Sequence, residues 1–435
     1  MVKHTETSPH PIVDYMKKFL SSDAGKLMEY CYAAIRDLDH NRFHRNQIEV
    51  LEDNWFDSLF SIVSCVILTA NRIECDTLNY VISKQCSGNL KKRKHPLPIF
   101  ENSDYGAPEA YIFDQGSSVI LHLRAYETGS NTQGGSTDLV RYISNHHLLR
   151  PNSIISFGIC YGRDTESQDI GDVIIPKKLY PWSIGQKLVA ERVGKGGRKK
   201  EKFTIKHDNF NLCLEDKFSS TGIYSSLRDF CNNDENECRI SASLVLASEV
   251  RKFYVKVSLG DMSTGEAVVS SAKVKEQIKQ STGNVKELGG EMEGYGLAKE
   301  CIYYAKIPCF IVKAICDWGE DKNIDQLLIE ESIKAPSHLK DKLQAYAAFC
   351  AGIALIELFT REKQFFLSLN LLQWMEKKKF LSACTYRDKD AVVDNIRKFY
   401  KVKLSVAENV FDLLERRKIV VRVDKGNTYH INPEL

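Results

Sequence analysis

Four carboxylates in this 435-residue chain stand where chemistry is possible: Glu74, Glu291, Glu293 and Asp317. Glu291-Met292-Glu293-Gly294 lies between Gly289-Gly290 and Gly296, and glycines strip a turn of side chains so that a ligand or another backbone can approach. Asp317 closes the apolar run Cys309 to Cys316, and Glu74 follows the apolar run Val63 to Leu68 by way of Ala70-Asn71-Arg72-Ile73. Open α/β sheets bind ligands at the carboxyl ends of their strands, which is where these acids fall. Paired acids suit cleavage of a glycosidic bond: one protonates the leaving group, and another activates water or holds the oxocarbenium-like sugar. A single acid of this kind more often caps a helix or opens a turn. Recurrence at successive strand ends is what favours a site. His122, His146 and His147 adjoin apolar segments without metal-ligand spacing, so the reading includes no metal and no cofactor.

The elements that must carry these acids read as an α/β chain. Buried strands are expected at Ser61 to Thr69, Ala110 to Phe113, Ser118 to Leu123, Ser153 to Phe157, Ile170 to Pro176, Arg251 to Leu259 and Cys309 to Cys316, with helices at Cys75 to Ile82, Asp138 to Ser144, Met292 to Ala305 and Leu339 to Phe359. Several strands end in glycines and charged residues: Glu74, Arg124, Gly158 to Gly162, Asp261 to Glu266 and Asp317. In a mainly parallel sheet these ends meet on one rim. The Gly/Ser/Thr-rich stretch Ser130 to Ser136 after Arg124 could cradle an anion with backbone N–H groups, although such stretches are more often plain connections.

Residues 1 to 60 read as a helical extension, 61 to 360 as the main α/β domain and 361 to 435 as a separate module. In that last part helices are expected at Phe365 to Met375, Lys389 to Tyr400 and Ser405 to Arg417, followed by a hairpin from Ile419 to Ile431. The order resembles a winged helix. Arg416, Arg417, Lys418, Arg422 and Lys425 could meet phosphates, but Glu408, Asp412 and Glu415 put acids on the same helix. A protein or signal-sensing partner is therefore favoured over DNA.

Sixty Lys and Arg against 57 Asp and Glu leave a formal charge of +3, too small for a global field toward nucleic acid or membrane. Basic character is local, at Lys91-Lys92-Arg93-Lys94, Arg124 and Lys195 to Lys202, an inventory that could hold a polyphosphate. Thirteen scattered cysteines without a CxxC pair read as reduced core thiols. With no apolar core near Met1 and no uncharged apolar run of spanning length, the expectation is a cytoplasmic protein that does not enter the membrane.

The segments Ala70-Asn71-Arg72-Ile73-Glu74, Gly158-Ile159-Cys160-Tyr161-Gly162 with Gly171-Asp172-Val173, Glu291-Met292-Glu293-Gly294 and Lys313-Ala314-Ile315-Cys316-Asp317 resemble, in order and spacing, the nucleoside phosphorylase and nucleosidase superfamily. The likeness spans roughly residues 60 to 360, and it looks closest to the phosphorylase-like effector domains of immune and anti-phage defence proteins. It implies a three-layer α/β/α fold with a central mixed sheet. By the same resemblance Asp317 is the acid that protonates the purine at N7, Glu293 holds the ribose hydroxyls, Met292 packs on the sugar and Glu74 activates water. Gly158, Cys160, Met262 and Arg124 would complete the substrate site, and a homo-oligomer is expected.

Two departures matter. The phosphate loop often reads Gly-x-Gly, whereas here it is Arg124-Ala125-Tyr126-Glu127-Thr128-Gly129, which favours hydrolysis over phosphorolysis. Where nucleosidases place an aromatic ring on the base, Met262-Ser263 stands instead. The reading is a purine nucleoside or nucleotide N-glycosidase, with ATP or dATP as candidate substrates. A phosphate-dependent phosphorylase, and a nucleoside-sensing regulator acting through the C-terminal module, remain as alternatives.

Overall fold

The computed structural model describes residues 11–40, 48–60, 62–85, 89–95, 109–115, 118–125, 135–146, 149–182, 187–193, 200–206, 211–231, 237–246, 249–265, 269, 271–281, 287–320, 324–331, 333–361, 388–416, 418–423 and 428–431. Helices α1 (Pro11–Ser21) and α2 (Asp23–His40) come first. Ile12, Val13, Met16 and Phe19 are buried on one face of α1, the amphipathic spacing the sequence carries. Ser22 joins the two helices: its hydroxyl donates to the Phe19 carbonyl and accepts from the Gly25 N–H.

Next come β1 (Glu49–Leu51), α3 (Asp53–Phe60), β2 (Val63–Thr69), α4 (Arg72–Gln85), β3 (Asn89–Arg93), β4 (Ala110–Gln115), β5 (Ser118–Arg124), α5 (Ser136–Asn145) and β6 (Ser153–Gly162). They lead to β7 (Val173–Pro181), β8 (Lys187–Val193), β9 (Lys200–Lys206), β10 (Leu212–Cys213), α6 (Leu214–Lys217), α7 (Ile223–Phe230), β11 (Glu237–Leu246), β12 (Glu249–Thr264), α8 (Ala272–Ser281) and β13 (Glu287–Glu291). The remainder is α9 (Gly294–Glu300), β14 (Cys309–Asp317), α10 (Ile324–Glu330), α11 (Leu339–Arg361), α12 (Lys389–Tyr400), α13 (Leu404–Arg416), β15 (Val420–Arg422) and β16 (Tyr429–Ile431). Lys200 to Lys202, read from sequence as part of a basic loop, begin β9 opposite Val193, Arg192 and Glu191 of β8.

Twelve of these strands form one mixed sheet. β5, β2, β6 and β14 run parallel to one another. β13 runs against β6, β7 against β14, and β12 lies parallel to both β13 and β7. Strand ends therefore do not all share one rim, because half of the core sheet points the other way. All seven residues of β2 are buried, as expected of a strand covered on both faces.

α11, packed with α2 and α4, covers one face. α5 and α9 pack on each other over the opposite face, tied by the pair between Arg141 Nε and Glu300 Oε1 at 2.9 Å. By length and composition α11 could cross a membrane. Its apolar character has a simpler cause, since it lies between the sheet and two helices and most of it is buried. Gly352 lets it come close to α4, where a Cβ would meet Val81 at 3.2 Å.

In the C-terminal part α12 and α13 pack together, β15 pairs antiparallel with β16, and α13 lies against α3 with the Arg416 guanidinium 6.0 Å from the Trp55 ring centroid. The helix expected at Phe365 to Met375 lies outside the described residues. Nine of the eleven described cysteines are buried and all eleven are free thiols.

Candidate active site

The centre of the site is a residue that the sequence reading did not weigh. Lys313 stands in the middle of β14 with 1% of its surface exposed, and its Nζ lies 2.9 Å from Glu293 Oε2. A buried ammonium without partners is costly, so an apolar strand that carries a lysine must supply them. Burial alone would depress its pKa, but Glu293, Glu74 and Glu291 together raise it above the ordinary lysine value, and Lys313 stays charged.

Glu74 reaches the same place from the first turn of α4. Its Oε2 accepts from the N–H groups of Ala70 (2.9 Å) and Asn71 (3.1 Å), and its Oε1 accepts from the Ile159 N–H on β6 (3.0 Å). The carboxylate thus ties the end of β2 to the middle of β6. Burial pushes its pKa up, Lys313 opposes the shift and Glu293 adds to it. Gly158 makes room: its φ is +153°, and a Cβ there would stand 2.2 Å from Glu74 Oε1. Gly158 also faces Lys313 in the β6–β14 register.

Glu293 precedes α9 and comes from the opposite direction, because β13 runs against β6. Glu291, which had no assigned task, holds this turn: its Oε2 accepts from the N–H groups of Glu293 (2.8 Å) and Gly294 (2.7 Å). A carboxylate at a helix N-terminus also complements the helix dipole. Burial raises the Glu291 pKa, with Lys313 pulling it down and Glu293 pushing it up. The end of β12 closes the corner, with Thr264 opposite Glu291 and its hydroxyl accepting from the Tyr295 N–H at 3.3 Å. Three buried carboxylates therefore share one buried ammonium. The surplus of negative charge suits a positive charge that develops on a bound molecule.

Asp317 ends the same strand that carries Lys313. It is half-buried; Oδ1 accepts from the Gly319 N–H at 2.7 Å, and the Cys316 thiol donates to Oδ2 at 3.4 Å. A register shift between Ile315 and Asp317 turns the strand end, and Lys275 anchors the next residue through the Trp318 carbonyl at 2.7 Å.

The remaining expected residues divide. Cys160 lies two residues beyond Gly158 on β6 and is buried, and Met292 is half-buried in the turn between the two glutamates. Met262 is fully buried in β12 beside Gly289. Arg124, at the end of β5, lies 3.6 Å from the Glu109 carboxylate. Of the expected anion-binding stretch Ser130 to Ser136, residues 130–134 lie outside the described residues, and Ser136 begins α5 with its hydroxyl donating to the Glu293 carbonyl at 3.3 Å.

The basic cluster is likewise engaged. Lys91 pairs with Glu49, Lys92 with Glu109, Arg93 with Asp53 and Asp57, and Lys94 with Glu52. These side chains, on β3 and directly after it, meet acids of β1 and α3 and the residues just before α3 and β4, so a phosphate chain would have to displace those pairs.

An aromatic ring reaches Ser263 from β6, across β13. Tyr161 of β6 hydrogen-bonds the Ser263 hydroxyl at 3.1 Å, and its ring lies beside Gly290 and Gly319. It borders a cavity of about 220 Å³ shared with Arg163, Lys275, Glu287 and Glu320. One sequence signal could have found Lys313, namely a single charge inside an eight-residue apolar run. No local signal marks Tyr161, because its neighbours come from three other segments.

No family model matches the chain. Among curated proteins it is similar to a death domain-containing ATP nucleosidase from Amphimedon queenslandica, 25% identical over 184 residues that cover 41% of this chain and 30% of that protein. The chain thus matches less than a third of that relative's length. Among solved structures it is similar to the 5'-methylthioadenosine/S-adenosylhomocysteine nucleosidase of Helicobacter pylori, at 13% identity and a TM-score of 0.41, covering 69% of this chain and 99% of that one. The futalosine hydrolase of Helicobacter pylori gives 13% identity and a TM-score of 0.43 over 69% and 98%.

Proposed function

From the nucleoside phosphorylase-like α/β fold of this chain we infer an N-glycosidase that hydrolyses the bond between a purine and its ribose. One observation carries the reading: Glu74 and Glu293, from turns far apart in sequence, converge on the buried Lys313 of the strand that ends in Asp317. In the proposed reaction Asp317 gives a proton to N7 of the purine as the C1'–N9 bond breaks, so that the base departs neutral. Glu293, oriented by its 2.9 Å contact with Lys313 Nζ, accepts hydrogen bonds from the ribose hydroxyls and offsets the positive charge building on the sugar. Glu74, whose raised pKa suits a proton acceptor nearer neutrality, takes a proton from the water that attacks C1'.

A nucleotide such as ATP or dATP is the substrate we favour, and the support is the name of the sponge relative. A role as a cytoplasmic defence effector and assembly into a homo-oligomer are proposed from the sequence resemblance alone.

The test incubates the full chain with ATP, dATP, AMP and adenosine, with and without phosphate, and follows free base. Release without phosphate is expected, with Asp317→Asn, Glu293→Ala and Glu74→Gln each slower by about a hundredfold or more while remaining folded. No base from any substrate sinks the enzyme reading. Release that requires phosphate makes the chain a phosphorylase instead.

A further inference from the structure

The N-terminal helix α1 lies outside the stretch that carries the proposed chemistry, yet it touches the end of β14. Tyr15 stands edge-on against Trp318, the residue after Asp317, with ring centroids 4.5 Å apart at 73°. Trp318 is 2% exposed, and its indole N–H has no hydrogen-bond partner among the described residues. Ring packing therefore sets its orientation. The hydroxyl of Tyr15 accepts from the Ile170 N–H at 2.9 Å.

Ile170 belongs to a turn that is itself bonded to β14: the Gly171 N–H donates to the Ile315 carbonyl, and the Ile315 N–H donates to the Asp172 carbonyl, both at 2.9 Å. Gly171 has φ +96° and lies so close to Tyr346 of α11 that a Cβ would stand 2.8 Å from the ring. The turn has no room to retreat. One side chain of α1 thus touches both supports of the Asp317 strand end, the turn before it and the indole after it.

We propose that Tyr15 is a positioning residue for Asp317, holding the acid-bearing strand end in place through Trp318 and Ile170. Among the described residues the hydrogen-bonded partners of Asp317 are the Gly319 N–H and the neighbouring Cys316 thiol, and none is a side-chain cation. Its place therefore follows the backbone on either side. Displacement of a reacting group by about 1 Å can cost a hundredfold in rate, so a loosened Trp318 should be read in turnover before it is read in affinity.

The inference rests on Asp317 being the acid, and the experiment separates the two. Steady-state base release by the full chain is compared for Tyr15→Met, Tyr15→Phe, Val13→Ala and Asp317→Asn, on whichever of ATP, AMP and adenosine turns over fastest. Val13 is buried on α1 two residues before Tyr15, a spacing at which helix side chains do not face each other, so its variant loosens the docking of α1 without removing a contact of Tyr15.

Tyr15→Met is expected to lower kcat by about tenfold or more with KM within about twofold. Tyr15→Phe keeps the ring and should keep most of kcat. Val13→Ala should lower the melting temperature while leaving kcat unchanged. Should Tyr15→Met not fold, Trp318→Phe shortens the same contact from the other side and carries the same expectation. Wild-type kcat in the Tyr15 and Trp318 variants, or an equal loss in Val13→Ala, overturns the proposal while a dead Asp317→Asn leaves the glycosidase reading intact. A fully active Asp317→Asn removes Asp317 from the mechanism and with it the premise of this inference.

Discussion

Replacing Lys313 by Met probes the centre of the site most directly. The substitution keeps an unbranched apolar stem and removes the buried ammonium that faces Glu293, Glu74 and Glu291. Their exposures are 7%, 2% and 4%, so water cannot take the place of the ammonium. Breaking a buried ion pair by removing one partner costs about 3–5 kcal/mol, and that is the loss expected in urea unfolding followed by circular dichroism at about pH 8.

The pH dependence follows from the directions of the shifts. Glu74 and Glu291 already titrate above the ordinary glutamate value because they are buried, with Lys313 holding them down. Raised carboxylates favour the folded state fully below the unfolded value of about 4.3 and lose that contribution as pH rises through the folded value. Without Lys313 they rise further. The deficit of the variant should therefore be largest near pH 8 and shrink as pH falls, closing below about pH 4.3, where the carboxylates become protonated in both the folded and the unfolded state. The raised pKa of Lys313 itself contributes stability that is lost only above about pH 10.4, outside this window.

Adding Glu293→Gln to Lys313→Met should restore part of the loss, since an amide in place of the carboxylate no longer needs a cation. A variant within about 1 kcal/mol of wild type at pH 8, a deficit that does not change with pH, or strictly additive losses in the double variant would refute the reasoning.

Two further outcomes are expected. Gly158→Ala sets a Cβ against Glu74 at a backbone angle that side chains rarely adopt. It should cost about 1–3 kcal/mol in stability and lower base release at least as much as loss of Glu74 does, and wild-type turnover would mean that Glu74 is not held at Gly158. Lys91→Ala and Lys92→Ala remove residues paired with Glu49 and Glu109. Stability should change by less than about 1 kcal/mol each and KM for ATP by less than twofold, whereas a tenfold rise in KM would place a phosphate chain on β3 after all.

How far the chain could be read without its structure depends on the range of the interactions involved. Apolar runs such as Val63 to Leu68 and Cys309 to Cys316 become fully buried strands because nothing but a covered sheet can accept them, and β2 and β14 lie where they were expected. Glycines at 158 and 294 marked close approaches because a missing Cβ is a local fact, and both sit against glutamate carboxyl groups. The basic cluster could not be judged in this way. Lys91 to Lys94 looked available until β1 and α3 placed Glu49, Glu52, Asp53 and Asp57 against them. Met262 was assigned to the site by its position after Gly260-Asp261, yet the β12 register buries it.

The sequence by itself determined the long apolar strands, the acids that follow them and the class of fold, since each follows from burial and turn chemistry within a few residues; short or polar strands such as β1, β3 and β13 carry no such pattern. Only the tertiary structure decided that Lys313 is the common partner of three glutamates, that Glu291 holds the turn that aims Glu293, and that Tyr15 reaches the strand of Asp317. Those pairings depend on the register and direction of β6, β13 and β14 and on where α1 docks, and no local pattern encodes the offset between strands that pair across the sheet.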